Sequence, residues 1–301
     1  MRILVTGSSG QLGQAIMNSS HDLDHEIVFT ARTIVPSPSC YSSRHQLLQL
    51  DVTDSEAVSE LVREQDIEVV INCAGYTDVA RAETEPEKAY LLNEHAAANL
   101  ARAAKENDAV LIHISTDYIF DGQSSVPYRE EDHAEPLGEY GRSKLAGENA
   151  VIASGCRYFI LRTAWLFSRF GRNFLKTILK KSSEQSMLNV VADQIGTPTY
   201  APDLVDAIFT IIDEGMLDRT GIYNFTNEGV CSWYDFAKEI CEVSGSLCTV
   251  MPCSTDDYPT NVSRPHYSVL DKRKFKDTFG MEISHWKDSV TFCVTEIEKF
   301  G

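Results

Sequence analysis

The chain has 301 residues, 43% of them hydrophobic, enough for one large domain or for a large domain with a small one. Its 44 acidic residues against 27 basic ones give a formal net charge of −17. A field of that sign repels nucleic acid and anionic membrane as non-specific partners, so an anionic ligand needs a locally basic site.

Met1 to Gly7 runs straight into an apolar strand and a glycine loop, without the charged-then-apolar leader of a secreted chain. No apolar run approaches the ~20 residues needed to span a bilayer. Cysteines stand at 40, 73, 156, 231, 241, 248, 253 and 293, with no Cys-x-x-Cys and no histidine pairing at zinc spacing. They read as reduced thiols, so a cytoplasmic protein with no metal ligand set is expected.

Arg2-Ile3-Leu4-Val5-Thr6 is a short apolar, partly β-branched run. It leads through Gly7-Ser8-Ser9-Gly10-Gln11-Leu12-Gly13 into a helical pattern at Leu12, Ala15 and Ile16. Strand, glycine turn and helix together make a phosphate site, because bare N–H groups at the helix start face the pyrophosphate and absent side chains let it approach. The plainer alternative is an ordinary glycine-rich β–α turn. A second strand, Glu26 to Ala31, ends at Arg32. An NAD site usually carries a carboxylate there for the ribose 2′-hydroxyl, whereas an arginine suits a 2′-phosphate. NADPH is therefore expected, with NADH the alternative and a solvated surface arginine the plainer reading of Arg32.

Leu48 to Asp54 reads as a short third strand, with Asp51 at its end near the adenine. Thr53 or Asp54 can N-cap the following helix, Ser55 to Gln65. Glu68 to Gly75 is a continuous apolar run ending in small residues, as buried parallel strands do. There Ala74-Gly75 lets a cofactor lie against the backbone. A helix from Pro86 to Asn107 carries Tyr90, Leu91, Ala97, Leu100, Ala101 and Ala104 at helical spacing, with Asn93 its one polar residue facing the sheet. Ala109 to Thr116 is a fifth strand delivering hydroxyls to its carboxyl end, the edge where open parallel sheets bind ligands. His113 within it reads as a hydrogen-bonded core residue.

After a polar loop from Asp121 to Pro136, a helix starting near Glu139 carries Tyr140-Gly141-Arg142-Ser143-Lys144. A four-residue step stacks Tyr140 and Lys144 on one face, roughly 6 Å apart at Cβ. A phenol ionises near pH 10, and an ammonium one turn along is expected to pull that value down toward the working range. Thr116 can offer its hydroxyl to the same substrate oxygen. Such a trio suits hydride chemistry at a carbonyl: tyrosine moves the proton, threonine polarises the oxygen and lysine tunes the tyrosine.

Cys156 to Thr163 makes another strand, so strands and helices alternate at least six times, which indicates a doubly wound α/β fold of Rossmann type. Past Thr163 the rhythm breaks. Helices are predicted from Asn173 to Lys181, from Ala201 to Glu214, from Ser232-Trp233 through Val243 and from about His285 to Lys299. Strands are predicted from Leu188 to Gln194 and from Gly221 to Thr226. The expected division is a dinucleotide-binding domain over 1–165, with sheet contributions from about 188–230, and a mainly substrate-binding lobe over 166–301.

With these motifs in this order, the chain resembles the extended short-chain dehydrogenase/reductases, and within them the dTDP-4-dehydrorhamnose reductase family. The family's signatures are matched by Ser115-Thr116-Asp117-Tyr118-Ile119-Phe120-Asp121-Gly122 and by Arg162-Thr163-Ala164-Trp165-Leu166-Phe167. They are matched again by Asp193-Gln194-Ile195-Gly196-Thr197-Pro198-Thr199 and by Arg264-Pro265-x-x-Ser268-x-Leu270-Asp271. The resemblance implies NADPH-dependent reduction of the C4 ketone of dTDP-4-dehydro-L-rhamnose, with Thr116, Tyr140 and Lys144 catalytic. It implies that Gly7, Gly10, Gln11, Leu12, Gly13, Asp51, Val52, Ala74, Gly75, Tyr76, Asn93, Tyr140, Lys144 and Thr163 hold the cofactor. It places Thr116, Asp117, Tyr118, Trp165, Asn173, Gln194 and Arg264 on the nucleotide-sugar. Three plainer readings stay open: Trp165 as core, Asn173 as a helix N-cap, and Arg264 in a surface salt bridge.

Where these reductases often read Val-Asp-Lys-Ala-Glu, this chain has Val79-Ala80-Arg81-Ala82-Glu83, which bears on sugar recognition rather than on hydride transfer. Some relatives pair through acidic residues and magnesium, so a homodimer and Mg2+ are expectations with no residues attached. Rival readings are a nucleotide-sugar dehydratase or epimerase of the same superfamily, or a non-catalytic subunit similar to the regulatory β subunit of methionine adenosyltransferase. Dehydratases need a carboxylate pair after the threonine, and here Asp117 is followed by Tyr118.

Overall fold

The computed structural model describes residues 1–19, 25–34, 45–257 and 262–300; Cys40 lies outside the described residues. The chain opens with β1 (Arg2–Thr6), α1 (Gln11–Met17), β2 (Glu26–Ala31), β3 (Gln46–Gln49), α2 (Ser55–Glu64) and β4 (Val69–Asn72). Next come α3 (Val79–Ala82), α4 (Pro86–Tyr90), a π-turn over Leu91–His95, and α5 (Ala96–Glu106). β5 (Val110–Thr116), α6 (Glu139–Ser154) and β6 (Arg157–Thr163) complete the alternation.

The second half holds β7 (Leu166–Phe167), α7 (Phe174–Glu184), β8 (Met187–Val191), β9 (Ile195–Gly196), β10 (Thr199–Tyr200) and α8 (Ala201–Asp213). It continues with β11 (Gly221–Asn224), β12 (Cys231–Ser232), α9 (Trp233–Val243), β13 (Thr249–Cys253), α10 (Arg273–Phe279) and α11 (Trp286–Phe300).

Seven strands pair, all in parallel, in the order β3-β2-β1-β4-β5-β6-β11. Successive side chains leave a strand on opposite faces, so each central strand feeds two cores. Ile3, Val5, Ile71 and Ile112 join Leu204, Ile208 and Ile211 of α8 on one face. Leu4, Val70, Leu111 and Ile160 join Val58 of α2 and Leu100 of α5 on the other. The strand order reverses between β1 and β4, which opens a crevice beyond their carboxyl ends. No helix among the described residues is long and apolar enough to cross a membrane.

The structure departs from the sequence reading in three places. β3 stops at Gln49, before Asp51, because the Asp51 carboxylate turns back to accept the N–H (3.0 Å) and hydroxyl (2.7 Å) of Thr53, a local bond that competes with the ladder. The helix expected over 86–107 is broken by the π-turn around Asn93. The stretch from 188 to 230 divides: β11 extends the main sheet beside β6, whereas β8 pairs with β13 in a sheet of its own. β8 alternates exposed and buried residues, so it has a single apolar face, unlike the strands between two helical layers. That face meets a third core built by α7, α9 and α11, with Leu175, Ile178, Phe236, Ile240, Trp286 and Val290 buried.

Candidate active site

The glycine loop is shaped by close approach. Gly7 has φ +65°, and a Cβ there would lie 2.6 Å from the Ala74 nitrogen; one on Gly13 would lie 2.5 Å from the Ser8 Cα. Those two glycines let the loop pack on the end of β4 and on itself. Gly10 is different: it is exposed, caps α1 without a side-chain bond, and a Cβ there would meet only the Gly7 carbonyl, at 3.2 Å. The first N–H groups of α1 therefore face outward uncapped, a donor set that suits a pyrophosphate. Leu12 is buried beneath them.

At the neighbouring strand ends, Asp51 is held below the usual carboxylate range, first by its bonds from Thr53 and more weakly by the Arg32 guanidinium. The carbonyls of Val52 and Thr53 accept from the side-chain amide of Asn99 on α5 (3.1 and 3.2 Å), a residue that the helical pattern alone did not mark. Under the loop, Asn72 accepts from the hydroxyl of Thr6 (2.7 Å) and from the N–H of Ala74 (3.1 Å), and its amide donates to His113 Nδ1 (3.0 Å). His113 is thus a bonded core residue, and burial pushes its imidazole well below its ordinary value.

Several predicted ligand contacts use their side chains elsewhere. Asn93, raised inward by the π-turn, accepts the N–H of Tyr76 (2.8 Å) and donates to the Tyr76 carbonyl (3.1 Å) and to the Ser143 hydroxyl (2.9 Å). Its amide is fully occupied as a brace between the Ala74-Gly75-Tyr76 loop and α6. The Tyr76 hydroxyl donates to Glu85 at 3.0 Å. Gln11 turns away from the helix start: its carbonyl oxygen accepts from Ser168 (3.1 Å) and from Asn173 (2.9 Å), so two residues expected on different ligands bond each other. Asn173 also caps α7, accepting the Lys176 N–H at 3.0 Å, as the plainer reading had it. The Thr163 hydroxyl donates to Thr199 at 2.9 Å, a brace across the sheet edge.

The expected trio is brought together. Thr116 ends β5 with 5% of its surface exposed; its hydroxyl donates to the Asp117 carboxylate at 3.1 Å and lies near enough to Tyr140 to favour the ionised phenol. The Tyr118 ring packs edge-on to Tyr140 at 5.6 Å. Lys144 is buried one turn along α6, and its ammonium donates to the Ile114 carbonyl at 2.5 Å. The sequence reading had Lys144 lowering the phenol's pKa. In this structure burial dominates instead, pushing Tyr140 above its ordinary value, with nearby Asp117 adding to the rise. Burial likewise pulls Lys144 down to about 8.

Asp117, 1% exposed, accepts from the Thr116 hydroxyl at 3.1 Å and is lifted by burial to about 6, with the Ser268 and Thr116 hydroxyls working against the rise. Tyr118 is lifted by burial to about 12, and its hydroxyl accepts from Arg264 at 3.3 Å. Arg264 thus bonds Tyr118 rather than a surface carboxylate. At the start of α6, Gly138 offers no side-chain cap. Glu83 reaches over from the end of α3 to accept the Glu139 N–H at 2.8 Å. The stretch that departs from the family pattern at Ala80 therefore keeps, in Glu83, the carboxylate that caps the helix of Tyr140.

Beside this cluster lies a cavity of about 330 Å³ between α7, β8 and the start of α9, lined among others by Phe174, Lys181, Gln194, Trp233, Thr255 and Arg264. Gln194 is buried and its amide donates to Thr255 at 3.0 Å. Trp165 has φ +48° and stacks on Trp233 at 3.5 Å and 11°, in a slot kept open by Gly196, where a Cβ would lie 2.7 Å from the indole. It packs against the third core, behind Trp233, which lines the cavity. Trp233 and Lys181 were missed from sequence because apolar and basic positions on amphipathic helices look alike whether they line a pocket or a surface, and Thr255 because it sits in a turn after β13 that no motif marks.

The geometry agrees with what the chain is similar to. A dTDP-4-dehydrorhamnose reductase of Aggregatibacter actinomycetemcomitans is 36% identical over 295 residues, 95% of this chain and 96% of that protein. Among solved structures, a dTDP-4-dehydrorhamnose reductase from Bacillus anthracis in complex with NADP has a TM-score of 0.88 at 33% identity, covering 98% of this chain and 99% of the other. One from Clostridium acetobutylicum has a TM-score of 0.87 at 36% identity, covering 99% and 100%. A UDP-glucose 4-epimerase of Thermus thermophilus in complex with NAD shares the fold, at 18% identity and a TM-score of 0.84 over the full length of both. A family model described as the RmlD substrate binding domain matches residues 1–299, and the chain belongs to that family.

Proposed function

We propose that this chain reduces the C4 ketone of dTDP-4-dehydro-L-rhamnose to dTDP-L-rhamnose with NADPH, with Tyr140 as the proton donor. The observation that carries the reading is the meeting of Thr116 from β5 with Tyr140 and Lys144 from α6, at the sheet edge that also bears the glycine loop. The start of α1 and Gly10 would hold the dinucleotide's pyrophosphate, Arg32 and Asp51 its adenosine ribose, and the backbone at Ala74-Gly75 its nicotinamide half. The bound dinucleotide supplies the hydride.

The chain's own groups manage the oxygen and the proton. Thr116 donates a hydrogen bond to the ketone oxygen as negative charge builds there. Tyr140, raised by burial, keeps its proton until that oxygen becomes basic enough to take it. The phenolate left behind is offset by the buried Lys144 ammonium on the same helix face. Arg264 and Lys181 offer the diphosphate positive charge in an otherwise acidic chain, and Trp233 and Phe174 offer the base aromatic surface. Residues 1–165 then serve mainly the cofactor and 166–301 mainly the sugar nucleotide, in a cytoplasmic enzyme.

The test is NADPH oxidation with this keto-sugar, measured against NADH and against other keto-sugars. Fast, selective oxidation is expected. Absence of oxidation, together with co-purification with a methionine adenosyltransferase, would favour the non-catalytic reading. A cofactor that stays bound and is re-reduced in each turnover would favour an epimerase.

A further inference from the structure

The face of α6 that carries Tyr140 and Lys144 continues one turn further to Glu148, whose side chain is 1% exposed. From β6, Arg162 grips this carboxylate side-on, with Nη2 at 2.7 Å from Oε2 and Nε at 3.0 Å from Oε1. From β5, the Ser115 hydroxyl donates to Oε1 at 2.5 Å. The remaining arm of Arg162 donates to the Glu130 carbonyl at 2.9 Å, and its guanidinium lies over the Phe120 ring at 5.5 Å. In the sheet register Ser115 faces Arg162 and Thr116 faces Thr163. One buried carboxylate therefore ties the catalytic helix to the residue that directly precedes Thr116.

A pair this deep is a poor device for stability alone, because desolvation consumes most of what the charges gain and an apolar pair of similar volume often serves as well. Its geometry serves alignment better. We propose that Glu148 is a positioning residue: held by Arg162 and Ser115, it sets Tyr140 and Lys144 in height against Thr116, and it keeps a negative charge one turn from Lys144. The proposal rests on the reading of that trio as the reducing site.

The groups facing this patch come from every neighbouring element. β5 gives His113, the segment after it Asp117 and Tyr118, β6 Tyr158 and Arg162, and the loop Glu130. His113 is kept neutral by burial and Arg162 is permanently charged, so Lys144 is the group whose protonation Glu148 favours against its own burial.

Two variants separate alignment from mere support. Glu148→Gln keeps the shape and removes the charge. The double variant Glu148→Met with Arg162→Met fills the volume with apolar side chains and guards against a folding failure. Melting temperature, NADPH affinity by fluorescence, kcat and KM are measured for each. The Lys144 titration is followed by NMR on lysine-labelled protein.

For the double variant we expect cofactor affinity and KM within about threefold of wild type and kcat lower by about 10- to 100-fold, the cost of misplacing reacting groups by an ångström or less. For Glu148→Gln we expect the Lys144 titration, and the limb of the pH profile that follows it, to move down by about one unit. Unchanged kcat in the double variant, together with an unmoved Lys144 titration in Glu148→Gln, overturns the proposal. A wild-type chain that binds NADPH but never turns over the keto-sugar overturns the proposed function instead. The Lys144 titration still reads the role of Glu148 in that case.

Discussion

At the scale of single residues, the site is governed by burial working against charge. Tyr140→Phe removes the hydroxyl that, in the proposed mechanism, protonates the ketone oxygen polarised by Thr116. Turnover should fall by ~10²–10⁴-fold, the usual span for a general acid, with NADPH affinity nearly unchanged. Near wild-type turnover would return the proton step to another group. Asp117 gives a pH-dependent prediction. Its folded value of about 6 lies above the ordinary aspartate value of 3.8, so between those values the folded chain binds more protons than the unfolded one. Its contribution to stability therefore falls as pH rises through that window. Asp117→Asn should melt closest to wild type near pH 4 and gain a few degrees on it by pH 7; a gap that does not change with pH would refute the burial argument. Lys144 runs the other way. With about 8 in the folded chain against 10.5, the unfolded chain binds more protons across that range, so stability linked to this group rises with pH from about 8 upward.

At the scale of elements, the glycine loop and the start of α6 do separable work. Gly13→Ala drives a methyl into the Ser8 backbone, so the loop must shift, and a lower melting temperature with weakened NADPH binding is expected. Gly10→Ala sits at extended φ −79° and meets only the Gly7 carbonyl, at 3.2 Å, so melting should fall less than for Gly13→Ala while NADPH affinity falls. Equal effects of the two on melting would show that both glycines serve packing. Glu83→Ala removes the cap of α6 and should cost roughly 0.5–2 kcal/mol of stability, with kcat falling more than KM rises because Tyr140 follows the capped residue. Denaturant unfolding and steady-state kinetics on one preparation would check this. The long apolar strands were legible in the chain because period and β-branching state burial directly. The end of β3 and the π-turn were not, since each rests on one side chain, Asp51 or Asn93, choosing a backbone partner that spacing does not reveal.

At the scale of the whole molecule, the two sheet-face cores and the third core of α7, α9 and α11 must be held in register so that cofactor and sugar meet. The Gln11–Asn173 bond spans 162 residues of sequence and joins the glycine loop to the segment that starts α7 and the cavity wall. Gln11→Ala should weaken the dependence of nucleotide binding on prior NADPH binding, measured by calorimetry with and without cofactor, whereas a bond that only stiffens the loop would leave that dependence intact. The motifs were enough to read the parallel sheet, the glycine loop and the proposed trio of Thr116, Tyr140 and Lys144, because each is written in residues near one another or in a repeating period. The upward shift of Tyr140, the hydrogen bonds that hold Asn93, Gln11 and Asn173 to one another, to Ser143, to Ser168 and to the backbone, and the enclosure of Glu148 all depend on packing. Burial and hydrogen-bond partners depend on residues dozens to hundreds of positions away, and no local pattern encodes the distance at which they arrive.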